Sequence, residues 1–209
     1  MKAAILAIFF INAAFSQGKY VSNENALSAG LLFGRYGTDN KYGFTGSYSV
    51  NGFLDFSFTR SSILTEESIS NFQNEYFLRV YAPKKNRFFV SAGLGYLYQQ
   101  FKTDLWKDFP LVFINKGVAF EGGLHLVTEE ETTRRVIMSI SYMYFAPTEE
   151  LRTPAFVTVD SKLTRAVVFD ATVVYYFGYV GAAIGPTVAL DSDFNNVFFG
   201  LHSSIMLRH

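Results

Sequence analysis

The chain has 209 residues, no cysteine, and 18 cationic against 18 anionic side chains. Balanced charge gives nucleic acid nothing to hold, and the lack of thiols excludes a disulfide scaffold, thiol catalysis and thiolate metal sites. Charged residues are 17% of the chain, against ~25% in an average soluble protein, and aromatics are 18%, which is too little charge to coat a watery exterior and many side chains suited to lipid.

In chain order, residues 1–16 read as a secretory signal peptide. Lys2 supplies the positive start and Ala3 to Phe10 is an unbroken apolar run. Ala14-Phe15-Ser16 is a small-x-small cleavage site, which puts the mature N-terminus at Gln17 and a single domain at 17–209. The run is too short to cross ~30 Å of hydrocarbon as a helix, and no later stretch approaches the ~20 apolar residues that would. Insertion into a membrane must therefore use strands.

After Gln17 the hydrophobic period is close to two. Ten strands are predicted, over 27–36, 41–50, 53–60, 73–82, 88–101, 115–128, 135–145, 164–177, 179–190 and 196–207, with eight the alternative count. In the second, Tyr42, Phe44, Tyr48 and Val50 oppose Gly43, Thr45, Ser47 and Ser49. In the third, Leu54, Phe56 and Phe58 oppose Asp55, Ser57 and Thr59. The second face is mostly Gly, Ser, Ala and Thr, a poor coat for water but a fitting fill for a narrow lumen. Lipid forbids open sheet edges, so the sheet must close: the expected fold is all-β, a closed antiparallel transmembrane barrel.

The connections sort by side. Those at 51–52, 83–87, 129–134 and 178 are short; those at 37–40, 61–72, 102–114, 146–163 and 191–195 include three long ones. Short turns on one side and longer loops on the other are the outer-membrane pattern. Asn51-Gly52 invites a two-residue hairpin, but that register would mix the two faces. A three-residue loop 50–52 pairs Tyr48 with Leu54 and keeps the faces apart. Aromatics gather at strand ends: Tyr96, Tyr98, Tyr142, Tyr144 and Phe145 on the long-loop side, and Tyr81, Phe88, Tyr175 and Phe177 on the other. They are expected to form two interfacial girdles.

On these features the chain resembles the small outer-membrane β-barrel proteins of Gram-negative bacteria. The last strand adds to the resemblance, since Phe199, Leu201, Ile205 and Leu207 alternate toward the terminus, although His209 stands where such barrels usually carry an aromatic residue. The resemblance implies an outer-membrane location and outer-membrane lipid as surroundings.

Candidate chemistry is sparse. Asp55, Glu75, Arg79, Glu121, His125 and Asp170 fall on inward positions and are expected to form a lumenal ion network, structural or solute-selecting. Glu121 and His125 lie ~13 Å apart along one strand, too far to share a metal. His202-Ser203-Ser204 resembles the His-x-Ser pair of membrane-embedded lipid A deacylases, but no acidic residue follows it and its parity turns it inward. Outer-membrane proteases of the omptin type share the strand count alone, and His125 sits at the wrong end of its strand for their water-activating site. The loop bearing Trp106, Phe109, Pro110 and Leu111 holds the only tryptophan and is expected to contact a partner or cover the barrel mouth.

The sequence thus predicts a non-enzymatic integral outer-membrane barrel. It would be structural or an interaction subunit of a larger envelope assembly with a protein partner, using no cofactor and no metal. A narrow porin-like channel and a membrane-embedded lipid-modifying hydrolase are the alternatives.

Overall fold

The computed structural model describes residues 24–36, 39–64, 70–82, 87–103, 111–131, 133–161, 163–191 and 197–209. The expected signal peptide, and Trp106, Phe109 and Pro110, lie outside the described residues. The strands are β1 (Ala26–Tyr36), β2 (Asp39–Val50), β3 (Leu54–Leu64), β4 (Ser70–Tyr81), β5 (Phe88–Thr103) and β6 (Leu111–Glu130), followed by β7 (Arg134–Arg152), β8 (Val157–Ser161), β9 (Thr164–Phe177), β10 (Val180–Asp191) and β11 (Val197–Arg208). Ten of them close into an antiparallel ring, β1 to β7 in order, then β9, β10 and β11, with β11 pairing back onto β1 from Ala26↔Arg208 to Tyr36↔Phe198. The ladder continues past β1 and β11, where Asn25 and His209 exchange backbone hydrogen bonds of 3.1 and 3.0 Å.

Closure fixes a stagger. Stepping from Tyr176 through Gly181, Met206, Ser28, Ser47, Ser57, Phe77, Gly95, Ala119 and Phe145 returns to β9 at Thr164, twelve residues away. A stagger of this size tilts the strands and sets the bore.

Outside and inside follow the predicted parity. Leu27, Leu31, Phe33, Phe44, Phe56, Leu94, Phe120, Ile140 and Leu201 are all exposed, while Ser47, Asp55, Thr59, Arg79, Ser91 and Thr172 are buried. An exposed belt of this kind has no place in water and suits hydrocarbon. Two residues assigned to the aromatic girdles belong elsewhere. Tyr81 and Phe145 are buried in the lumen, because odd positions on β4 and β7 face inward.

The Asn51-Gly52 turn departs from expectation. Both residues have positive φ, 52° and 63°, as in a two-residue hairpin turn, and Phe53 N–H donates to the Val50 carbonyl at 2.9 Å. Phe53 is then an extra residue, since β2 pairs Val50 with Leu54 and Tyr48 with Phe56 rather than Leu54. The bulge restores the parity that a plain two-residue hairpin would have broken.

The larger departure is at the long-connection end. β3 runs to Leu64, β6 begins at Leu111 and β7 continues to Arg152, all inside segments expected to be loop. Leu111, assigned to the loop of Trp106, opens β6 opposite Thr103. β8 pairs with β7 alone, in the same register by which β9 pairs with it lower down (Thr148↔Ser161, Phe145↔Thr164). It is the outward continuation of β9. One wall of the barrel, β5 to β8, therefore stands above the rest of the rim.

Candidate functional site: a filled lumen

Reading the inward positions of β4, β6, β7, β9 and β11 from the short-turn end gives one succession, apolar, polar, apolar. On β4 it is Tyr81, Arg79, Phe77; on β6, Val127, His125, Glu121, Ala119; on β7, Ile137, Ser139, Ser141, Met143; on β9, Val174, Thr172, Asp170, Val168; on β11, Met206, Ser204, His202, Phe198. The apolar members form two separate clusters, one at each side of the polar belt. Across β1–β3 the bore is filled instead by hydroxyls, with Ser28 and Ser47 joined at 2.9 Å and Thr59 donating to Thr45 at 3.1 Å.

Arg79 is the centre of the belt. Asp55 is its cross-strand partner on β3 and Gly93 its partner on β5. Gly93 carries no side chain, and a Cβ there would lie 3.1 Å from Arg79 Cγ. The guanidinium therefore passes over β5 and reaches Glu121 on β6, with Nε donating to Oε2 at 2.8 Å. Nη1 donates to Ser57 Oγ at 2.7 Å, and the group lies 4.4 Å from the Phe77 ring centre. Arg79 is 1% exposed and Glu121 7%. At that depth an ion pair survives only where its remaining donors and acceptors are met, as they are here.

The other inward groups fall into separate sets. His125 is held between two hydroxyls. Its Nε2 lies 2.9 Å from Ser91 Oγ, its Nδ1 2.9 Å from Ser139 Oγ, and its ring stacks on Phe89 with centroids 4.6 Å apart. Glu75 sits beyond the upper apolar cluster, where Gln73 donates to its Oε1 and Lys41 donates to Gln73 at 3.4 Å. Asp170 Oδ2 lies 3.4 Å from His202 Nδ1, and Asp170 Oδ1 accepts from Thr172 at 2.8 Å. Thr172 Oγ1 is also 3.0 Å from His202 Nε2.

The six predicted residues are thus all buried on inward positions, and Asp55, Arg79 and Glu121 come together in one set. Sequence reasoning missed Lys41, although it lies two positions beyond Gly43 on the face already read as inward. It also missed the role of His202, whose acidic neighbour comes from β9 rather than from downstream. Gly185 lies between Thr172 and His202 on β10, and a Cβ there would sit 2.1 Å from the Ala171 carbonyl oxygen. Only glycine lets the three strands approach so closely. The ladder between β9 and β10 skips the pairs at Gly185 and Pro186 without changing register, as the missing proline donor requires.

The set Asp170–His202–Thr172 has the members of a nucleophilic triad without its order. Thr172 spends its hydroxyl proton on the carboxylate, so the imidazole has no proton to take from it. All three side chains are buried; the cleft that Asp170 helps to line is walled mainly by apolar side chains such as Phe88, Leu124, Met138 and Phe169, and neither Thr172 nor His202 lines it. Among the described residues, no three His, Asp or Glu side chains gather as a metal site.

No family model matches the chain, and no curated protein matches it. Solved structures do. The translocator domain of the autotransporter NalP from Neisseria meningitidis is similar with a TM-score of 0.54 and 8% identity, over 90% of this chain and 90% of that one. The outer membrane protease OmpT from Escherichia coli gives 0.47 and 10%, over 90% and 97%. CdiB from Acinetobacter baumannii gives 0.41 and 9%; there 80% of this chain is covered, and it spans only 32% of the CdiB chain. At these identities the likeness is one of fold, and the fold is that of Gram-negative outer-membrane β-barrels.

Proposed function

We propose that the protein is a non-enzymatic integral outer-membrane barrel whose lumen is a structural core, and whose raised wall β5–β8 meets a partner in a larger envelope assembly. In this reading the short turns face the periplasm and the raised wall faces outward. The observation that carries it is the succession apolar–polar–apolar on β4, β6, β7, β9 and β11, with Arg79, Glu121, Asp170 and His202 all buried. A solute-selecting constriction needs wetted charges, and these are sealed between two apolar clusters.

The wall supports the partner half of the reading. All five residues of β8 are exposed, as is Phe156 before them. No described strand covers the far edge of β8, and such an edge invites strand pairing. The turn that presents it is ordered: Thr153 Oγ1 accepts from Phe156 N–H at 2.9 Å, and Thr153 N–H donates to the Phe156 carbonyl at 2.9 Å.

The test is isolation from gently solubilised membranes, comparing the intact chain with a variant in which residues 148–161 are replaced by a short turn. A partner should accompany the intact chain in fixed ratio and be lost from the shortened one. The same companions on both, or none on either, would overturn the interaction role.

A further inference from the structure

Among the described residues, the outward charges of the barrel gather toward the long-connection rim, where nearly all are of one sign; Arg134, opposite Tyr175, stands on an outward position at the other end. Among the described residues, the outward positions of the long-connection half hold Arg35, Arg60, Lys102, Lys116, Arg152 and Arg165. Glu150 is the one carboxylate there, and it binds two of the cations, Lys116 at 2.5 Å and Arg152 at 2.6 Å. Four of the six stand on the raised wall and its base. Lys102, Val112 and Arg152 are successive cross-strand partners, so the two cations are two strand spacings apart, about 10 Å. Lys116 is opposite Tyr98, and Arg165 is opposite Tyr144.

Three features bear on what such a patch would hold. First, its cations are accessible, with the Lys116 side chain 38% and the Arg152 side chain 51% exposed. Hydrogen bonds from Lys116 and then from Arg152 hold the Glu150 carboxyl below the usual carboxylate range, so it remains charged and fixes both cations in place. Second, the patch lies just beyond the exposed aromatics Tyr96 and Tyr142, at the depth where lipid headgroups begin. Third, hydrogen-bonding side chains stand among the cations, Tyr98, Gln100, Thr148 and Ser161, with Tyr98 already donating to Gln100 at 3.1 Å, beside the apolar Val112, Val157, Val159 and Leu163. The opposite face of the wall differs in sign, with Glu149 and Asp160 as cross-strand partners.

We propose that Lys102, Lys116, Arg152 and Arg165 form a docking site for the phosphorylated sugar headgroup of an outer-leaflet glycolipid. The inference rests on the outer-membrane placement proposed above. Cations in planar or point geometry take phosphate oxygens, arginine in pairs of parallel hydrogen bonds. Amide and hydroxyl neighbours then take sugar hydroxyls, which a plain phospholipid does not offer. The raised wall lengthens the contact, because β5–β7 carry the patch beyond the lipid surface where the rest of the rim stops.

The experiment uses the full chain reconstituted in phosphatidylethanolamine vesicles containing bis-phosphorylated lipid A, phosphate-free lipid A, or phosphatidylglycerol. Lipid retained on the protein is counted by native mass spectrometry. Phosphorylated lipid A should be retained preferentially. Replacing Lys102, Lys116 and Arg152 together by glutamine should weaken retention more than about tenfold, while Arg35→Gln with Arg60→Gln should not. Inorganic phosphate in place of lipid should neither bind nor compete at millimolar level. Equal retention of phosphate-free lipid A or of phosphatidylglycerol would overturn the site, as would undiminished retention by the triple variant. A chain that enters none of the vesicles would instead contradict the membrane reading itself, so the two failures are distinct.

Discussion

Strand β7 passes through two regions that obey different rules. Within the ring it alternates strictly, with Ile137, Ser139, Ser141, Met143 and Phe145 buried and Met138, Ile140 and Tyr142 exposed. From Thr148 to Arg152 the backbone pairing with β6 continues without a shift, but no apolar face is left. The lower part is written by its solvent. Lipid on one side and a narrow bore on the other force every second residue to differ. The upper part is held by neighbours instead. Polar side chains there cost nothing, and a strand persists because β6 and β8 offer it partners. A strand beyond the lipid therefore carries no periodic signature.

The largest effects are expected from charges in the lower region. Arg79→Ala removes the cation between Asp55 and Glu121 and should cost ~3–5 kcal/mol, since two buried carboxylates lose compensation. Arg152→Ala on the wall should cost about 0–1 kcal/mol. Thermal unfolding in detergent separates the two, and equal midpoints would show that the belt is not the barrel's core. Phe56→Arg comes next, at ~2–4 kcal/mol for a charge on the lipid face, and should lower the folded yield on insertion into vesicles. Val159→Arg on exposed β8 should insert like the wild type. Ser57→Arg should be costly as well, because that hydroxyl already accepts from Arg79.

These contrasts indicate what could be read in advance. Strand count, closure and the facing of Asp55, Glu75, Arg79, Glu121, His125 and Asp170 follow from parity alone. Their grouping does not. Arg79 meets Glu121 only because Gly93 leaves a gap between them, a three-strand register that no single strand's pattern reveals. His202 and Asp170 come together for the same reason across Gly185. The raised wall escaped because strict alternation in β7 ends near Phe145. Its basic outer face escaped with it, because Lys116 and Arg152 were assigned to a strand start and a loop rather than to one surface.

Smaller effects should sharpen the picture of the wall. Thr153→Ala removes a side-chain acceptor from two backbone donors in the turn, and about 0.5–1.5 kcal/mol of local stability should go with it. Hydrogen exchange should quicken in β8 and the end of β7 while the ring stays protected. Smallest is the response to acid. The lowered Glu150 carboxyl keeps its contribution above the pH range of an ordinary carboxylate and loses it only as pH falls through its own depressed value. Infrared titration should find this group still ionised where free carboxylates have begun to protonate.

Whether the bore is filled from wall to wall can be read by planar-bilayer recording on the purified, folded barrel. A filled bore should show no steady conductance above that of the bare bilayer, and none whose ion preference follows the lumenal charges. A reproducible unitary conductance in the wild type, altered in selectivity by Glu121→Gln, would contradict it.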